Sequence, residues 1–168
     1  KLEPVEGITE GGRFYVAGPN LMIGYMLADK PGVLQPLADK WHDSGDIVAV
    51  DARGFLTIKG RAKRFAKIGG EMVSLAAVEA LAGQLWPGAL SVVSSVPDAK
   101  KGERLVLLTD APEASRAGFL SFAKAKGAMD MMVPAEVVIG KVPVLGSGKV
   151  DFVMARAMAL EADKARAA

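Results

Sequence analysis

The pattern of local structure signals changes near residue 62, and this change constrains the fold more than any other feature. Residues 1–62 carry short β-rich runs, at 13–16, at 22–26 and in a hairpin, separated by many Gly and Pro residues. From residue 63 onward, apolar strand-like runs alternate with segments of helical spacing. The sequence therefore predicts an α+β chain in two parts, in which the second part has a small mixed sheet and packed helices.

The second part contains recognisable element starts. Its predicted elements are a basic hairpin from Lys63, a helix from Ser74, strands at 90–95 and 104–109, a helix from Ser115, a strand at 136–142 and a last helix after Asp151. Ser115 and Asp151 each precede a stretch rich in helix formers. Both are predicted N-caps, whose side-chain oxygens accept hydrogen bonds from backbone N–H groups of the first turn.

Composition excludes several kinds of site. The 168 residues include no cysteine and one histidine, His42, which removes disulfides, thiol catalysis and Cys-based or His-rich metal clusters. A net charge of +2 is too small to indicate nucleic-acid binding. No window approaches the roughly 18 consecutive apolar residues of a membrane-spanning helix. We expect no metal site within this chain and no nucleic-acid partner.

Lys149 follows the flexible segment Gly146–Gly148, where the backbone can approach a ligand closely. Its ammonium group is a compact charge that suits oxyanions, so the segment has the character of an anion-binding finger. A phosphate-binding loop would need a glycine five residues before the Gly-Lys pair and a Ser or Thr after it, but Pro143 and Val150 stand there. Taken alone, the segment is more typical of a surface hairpin with a solvated lysine.

Asp46 lies at the start of a predicted hairpin. The apolar run 47–50 and the β-rich run 55–58 flank an Asp/Gly-containing turn. An ionised aspartate is an acceptor only, so it can take two hydrogen bonds from a vicinal diol such as a ribose. Taken alone, an aspartate beside Gly45 is far more often part of a turn.

A basic segment follows this hairpin. Its four cations are Arg61, Lys63, Arg64 and Lys67, and Gly69–Gly70 comes directly after them. Cations followed by a flexible turn favour an element that approaches a phosphate-bearing ligand. The alternative is a solvated edge strand that lysines protect from pairing with another chain.

Together and in this order, these segments resemble the adenylate-forming superfamily of acyl-CoA synthetases, luciferases and peptide-synthetase adenylation domains. The resemblance runs from Gly18 to Asp151. The residues at 64–74 and 144–149 are most similar to the bacterial acyl–acyl carrier protein synthetase that is fused to, or partnered with, 2-acylglycerophosphoethanolamine acyltransferase. The resemblance implies an ATP-dependent ligase that makes an acyl adenylate and transfers the acyl group to a phosphopantetheine thiol.

The resemblance also implies roles for individual residues. Asp46 matches the aspartate that holds the ribose hydroxyls of ATP and of the acyl adenylate, and Arg61 matches the arginine beside that ribose. Lys63 falls at the hinge about which the small domain of the family rotates. Gly70, in the turn Gly69–Gly70, matches the glycine that lets the pantetheine arm pass. Lys149 matches the lysine that bridges the substrate carboxylate and the α-phosphate.

A docking face for an acidic carrier protein is predicted near Gly70. Its cations are Arg64, Lys67, Lys100, Lys101 and Arg104. The alternative is scattered solvated charge, with Lys100–Lys101 forming a simple turn. Val144 and Leu145 depart from many relatives, which have a basic residue and a Thr there, and this departure suits the carrier-protein branch.

The resemblance finally sets expectations for the complete protein. Residues 1–62 correspond to the β-rich end of the large domain and 63–168 to the mobile C-terminal lid. Residues 1–40 contain no counterpart of the family's phosphate loop, so a C-terminal fragment that is inactive alone is expected, with ATP and Mg²⁺ bound mainly by the missing domain. Expected partners are a fatty acid, acyl carrier protein and, through an acyltransferase region, lysophosphatidylethanolamine, at the cytoplasmic face of a bacterial inner membrane. Free coenzyme A as acceptor and an isolated carrier-docking module are the alternatives.

Overall fold

The computed structural model describes residues 1–167 and divides the chain into two compact units. The first unit is Lys1–Lys63 and the second begins at Arg64. The sequence predicted a boundary after residue 62, and the structure has it after residue 63. Both units are sheet-rich, and only the second contains α-helices within residues 1–167, so the predicted α+β class is confirmed.

The first unit is built from six short strands. They are β1 (Leu2–Glu3), β2 (Gly12–Val16), β3 (Gly24–Met26), β4 (Leu34–Pro36), β5 (His42–Val50) and β6 (Leu56–Arg61). One sheet has the order β1-β2-β5-β6, and β3 and β4 form a separate two-stranded ribbon. The β5–β6 turn closes because the Asp51 side chain accepts hydrogen bonds from the N–H groups of Arg53 and Phe55, both at 2.9 Å.

The second unit alternates strands and helices as predicted. It contains β7 (Phe65–Ile68), β8 (Glu71–Ser74), α1 (Leu75–Leu85), β9 (Ser91–Asp98), β10 (Gly102–Thr109), α2 (Arg116–Ala125), β11 (Glu136–Ile139) and α3 (Phe152–Ala167). Short 3-10 helices lie at Ala62–Arg64 and Asp130–Met132. The three helices begin at capping residues: Ser74 accepts from the Ala77 N–H, Ser115 from the Gly118 N–H, and Asp151 from the N–H groups of Val153 and Met154. The predicted caps at Ser115 and Asp151 are therefore confirmed.

β10 is the centre of a mixed five-stranded sheet. It pairs antiparallel with β9 along its whole length. Its other edge pairs in parallel with β11 from Val106 to Thr109 and antiparallel with β7 at Gly102. β9 has β10 as its strand partner in the described sheet and lies at an edge, which explains why Pro97 is tolerated inside it, although Pro97 lies beyond the predicted strand 90–95.

Apolar side chains cover both faces of this sheet. Leu105 and Leu107 of β10 pack in one cluster with buried residues of α1 and α2. The alternate residues, Val106 and Leu108, pack on the opposite face with Ala155 and Ala159 of α3. The second unit is therefore a three-layer arrangement with a helical layer on each side of the sheet.

Candidate functional site

Strand register in the first unit joins Asp46 and Arg61. The two residues are direct partners in the β5–β6 ladder, next to a register shift between Ile47 and Val48. Arg61 Nε lies 3.1 Å from Asp46 Oδ1, and Arg61 Nη1 donates to the Ser44 carbonyl at 3.0 Å. The aspartate is largely shielded and the arginine is mostly exposed. The hairpin thus holds an acceptor and a cation side by side at its open end.

Two residues that the sequence did not single out organise the strand before Asp46. Asp43 accepts from the Gly45 N–H at 2.9 Å and from Arg13 Nε at 2.9 Å. Hydrogen bonding to Arg13 is the main reason that the pKa of Asp43 is lowered. Ser44 Oγ donates to the Phe14 carbonyl and accepts from the Asp46 N–H. The run of polar residues ahead of the apolar part of β5 was the available signal for this network.

Lys63 is the last residue of the first unit and lies in the 3-10 helix Ala62–Arg64. Its side chain is exposed. Its position at the boundary of two compact units is compatible with a hinge, which stays a prediction.

Gly69 and Gly70 form the two-residue turn between β7 and β8. Their φ angles are 61° and 95°, and Ile68 pairs with Glu71 across the turn. Left-handed φ at both central residues is what a tight hairpin turn of this kind requires. The Gly69 N–H donates to the Lys101 carbonyl at 2.9 Å, so the β9–β10 turn supports it. A Cβ at either glycine would meet no atom within 4 Å, so the outer surface of the turn is bare backbone.

Lys149 lies on a short hairpin between β11 and α3. Val144 pairs with Val150, the Leu145 N–H donates to the Lys149 carbonyl at 2.8 Å, and the Gly148 N–H donates to the Leu145 carbonyl at 2.8 Å. Gly148 has φ 79°, as a three-residue hairpin loop with a terminal left-handed glycine requires. The hairpin places Lys149 at an exposed position, with Leu145 opposite it. The surface-hairpin interpretation is thus correct for the backbone.

The predicted docking cations divide into two groups. Lys67, Lys100 and Lys101 are exposed. Arg104 is only 14% exposed and forms ion pairs with Asp98 and Asp163. The structure corrects the idea of one exposed face of five cations, because an arginine in a neutralised, mostly buried pair presents little charge to a partner.

Arg64 is the second inward-facing cation, with 16% exposure and an ion pair to Glu79. Lys100 and Lys101 form the simple turn considered above, since Asp98 Oδ1 accepts both of their N–H groups at 2.9 Å. These two backbone hydrogen bonds are the largest cause of the lowered pKa of Asp98. A docking role for the three lysines stays a prediction.

The candidate residues thus occupy three local structures. The first unit holds the Asp46–Arg61 pair, and the second unit holds the Gly69–Gly70 turn and the Lys149 hairpin on separate segments. Within residues 1–167, no group of three or more His, Asp or Glu side chains could hold a metal ion. No helix in that part of the chain combines the length and apolar character needed to cross a membrane.

Comparison with known proteins places this geometry in context. No protein-family model matches the chain. The chain is 30% identical over 150 residues to a 3-methylmercaptopropionyl-CoA ligase of Ruegeria lacuscaerulensis. This match covers 88% of the chain and 27% of the relative. The chain therefore spans less than a third of the length of this curated relative.

Solved structures show the same fold. The crystal structure of ATP-bound MatB from Rhodopseudomonas palustris matches 89% of the chain, and 30% of its own length, with a TM-score of 0.69 and 25% identity. The o-succinylbenzoate CoA synthetase of Bacillus subtilis, in complex with its acyl-adenylate intermediate, matches 84% of the chain and 29% of its own length, with a TM-score of 0.67 and 26% identity.

Proposed function

We propose that this chain, which has the fold of the C-terminal part of adenylate-forming (AMP-dependent) acyl ligases, acts in such an enzyme as the end of the large domain and the mobile lid. The observation that carries the proposal is the exposed Lys149, directly after the loop of a hydrogen-bonded hairpin in a chain of this fold. The activity is the activation of a carboxylic acid with ATP, followed by transfer of the acyl group to a pantetheine thiol.

Lys149 serves the first half-reaction. A carboxylate oxygen attacks the α-phosphorus of ATP, the bond to the pyrophosphate oxygen breaks, and negative charge accumulates on the phosphoryl oxygens. A fixed ammonium group beside these oxygens stabilises the transition state without moving at the moment of reaction. In the same step, Asp46 accepts hydrogen bonds from the ribose hydroxyls and Arg61 lies beside the ribose and its phosphates. Mg²⁺ would neutralise phosphate charge in this step and would be held mainly by parts of the enzyme outside this chain.

The second half-reaction uses a different turn of the lid. Rotation at Lys63 withdraws Lys149 and brings the Gly69–Gly70 turn to the acyl adenylate. The bare backbone of this turn leaves room for an extended pantetheine arm. The thiol gives its proton to solvent, its sulfur attacks the acyl carbonyl carbon to form the C–S bond, and AMP leaves with the electrons of the broken C–O bond.

The acceptor is best assigned as coenzyme A. The relative from Ruegeria and the synthetase from Bacillus are both named for coenzyme A products, and no protein compared above is named for a carrier protein. Acyl carrier protein, with a fatty acid as substrate and lysophospholipid acylation as destination, remains the second candidate. The exposed Lys67, Lys100 and Lys101 near the Gly69–Gly70 turn favour it, because they suit an acidic partner.

The decisive experiment uses the complete ligase. Lys149→Ala should lower ATP–pyrophosphate exchange by about 10²- to 10³-fold, as loss of one preorganised charge does elsewhere, and should spare thioester formation from supplied acyl adenylate. Lys141→Ala, which removes another exposed lysine of the same unit, is the matched control and should change neither step. Equal loss in both half-reactions would overturn the role of Lys149.

A thiol panel separates the acceptors. Coenzyme A should be preferred over holo acyl carrier protein and over free pantetheine. A strong preference for the carrier protein that Lys100→Glu abolishes would instead establish the second candidate. No exchange with any acid, together with binding of the carrier protein, would indicate a docking module.

A further inference from the structure

Arg64 is the first residue of the second unit, and its side chain points into that unit. Nη1 donates to the Val93 carbonyl of β9 at 3.0 Å, and Nη2 pairs with the Glu79 carboxylate of α1. The guanidinium carbon lies 4.1 Å from the ring centroid of Phe152, the first residue of α3. One side chain therefore contacts a strand and two helices that are distant in sequence.

The contacts form a closed network. The Glu79 oxygen that pairs with Arg64 also accepts from the Val93 N–H at 2.8 Å. Both partners are mostly buried, at 16% and 21% exposure. A neutralised ion pair whose members also hydrogen-bond to one strand has a single favoured geometry, because any other arrangement leaves a buried charge without a partner.

Phe152 links this network to the Lys149 hairpin. Asp151, directly before it, donates its N–H to the Pro143 carbonyl at 2.9 Å and caps α3 through its side chain. The Phe152 ring is about half exposed, so packing alone fixes it less than it fixes a core residue. The cation of Arg64 against its face supplies a directional contact, since the ring face is negative.

We infer that Arg64 is a positioning residue that fixes the base of the Lys149 hairpin, through Phe152, relative to the segment that enters the unit from Lys63. When the second unit rotates at Lys63, the hairpin then moves rigidly together with the rest of that unit. The consequence for catalysis rests on the proposed function of Lys149, whereas the mechanical link does not. It also explains why Arg64 is not an exposed docking cation.

The mechanical link is tested on the 168-residue chain by hydrogen exchange. Arg64→Lys keeps the charge but loses the planar fork that contacts Val93, Glu79 and the ring together. The amides of Leu145, Gly148 and Asp151, which donate the hydrogen bonds of the hairpin and its base, should exchange roughly two- to fivefold faster. The Val106 amide in the sheet core should keep its rate.

Arg104→Lys is the matched control. Arg104 is equally buried and paired, but its partners are Asp98 and Asp163, the latter near the other end of α3. It should leave the three hairpin amides unchanged. Unchanged hairpin exchange in Arg64→Lys, or equal acceleration in Arg104→Lys, would overturn the inference.

The catalytic consequence is tested in the complete ligase with Phe152→Leu, which removes the aromatic face and leaves no buried charge unpaired. The rate of adenylation should fall roughly two- to fivefold, and thioester formation from supplied acyl adenylate should be unchanged. Phe152→Tyr, which keeps an aromatic ring, should keep the original rate of adenylation. A merely structural role would slow both steps and would not be rescued by the ring. Faster exchange of the hairpin amides in Arg64→Lys, together with full adenylation activity in Phe152→Leu and Phe152→Tyr, would leave the mechanical link standing. It would overturn the proposed role of Lys149.

Discussion

The two units differ in how far their apolar side chains are buried. In the second unit, valines and leucines of β9 and β10 are buried on both sides of the sheet under α1, α2 and α3. In the first unit, Ile47 and Val48 are the fully covered large apolar residues among those described, while Phe55, Leu56 and Ile58 lie exposed. Similar strand sequences therefore end in a closed core in one case and on an open surface in the other.

This difference bears on how each unit is stabilised. Burial of apolar area is the main favourable term in folding, so a unit that covers both sheet faces can supply its own stability. A sheet that leaves its apolar strand uncovered gains much less. The open surface supports the proposal that the first unit is the end of a larger domain, against which such side chains would pack.

The largest expected effect comes from the same substitution made in each unit. Phe119→Ala, at a side chain with 0% exposure, should lower the free energy of unfolding by about 3–5 kcal/mol. Phe55→Ala, at 62% exposure, should change it by less than about 0.5 kcal/mol. Urea unfolding followed by tryptophan fluorescence and circular dichroism measures both. Similar costs at the two positions would break the comparison.

Glycine turns test whether the units unfold separately. Gly70 and Gly54 have φ of 95° and 85°, and both have open space where a Cβ would stand. Gly70→Ala should destabilise the second unit by about 1–2 kcal/mol, the cost of left-handed backbone. Gly54→Ala should leave the unfolding transition of the second unit unchanged. Equal shifts of one common transition would mean that the chain unfolds as a single body.

Helix capping should give a smaller change. Ser115→Ala removes the acceptor for the Gly118 N–H, now at 3.1 Å, and should cost about 1 kcal/mol. Ser121→Ala, at an exposed position inside the same helix, serves as the control and should be close to neutral. Differential scanning calorimetry of the two variants gives the difference. A cost that is equal in both would assign the effect to the helix interior rather than to its cap.

The smallest effect is the acid response of the first unit. Hydrogen bonding to Arg13 lowers the pKa of Asp43 from its ordinary value of 3.8, so the folded unit binds this proton less readily than the unfolded chain does. The resulting stabilisation is fully present above pH 3.8 and is lost as the pH falls from there through the folded-state pKa. Asp43→Asn should weaken the dependence of the stability of the first unit on pH in this range, measured as the protection of β5 amides from exchange at each pH. An unchanged profile would exclude Asp43 as its source.

Sequence alone predicted what local chemistry decides. The alternation of elements, the caps Ser115 and Asp151, and the turn around Asp51 depend on neighbours within a few residues, and all were found. Asp46 was predicted at a hairpin mouth, but its partner Arg61 follows from the ladder register, which an irregularity beside Ile47 shifts.

The inward orientation of Arg64 and Arg104 could not be predicted in this way. Each depends on acidic partners on other elements, Glu79 for one and Asp163 for the other. A cation's residue type does not tell whether its side chain faces the core or the solvent, and only the folded structure settles it. Glu79, a lone charge within the apolar α1 segment, was the visible sign that a buried cation would be needed.

The hairpin that carries Lys149 closes through hydrogen bonds between residues only a few positions apart. Its backbone entropy is therefore lost when the chain folds, and little remains to be lost when an anion arrives. A lysine on a disordered loop would have to be ordered at each encounter, which weakens binding and slows productive contact. Under the proposed function, this lysine could be inserted and withdrawn repeatedly without local refolding, so the speed of the cycle would depend on the motion of the unit as a whole.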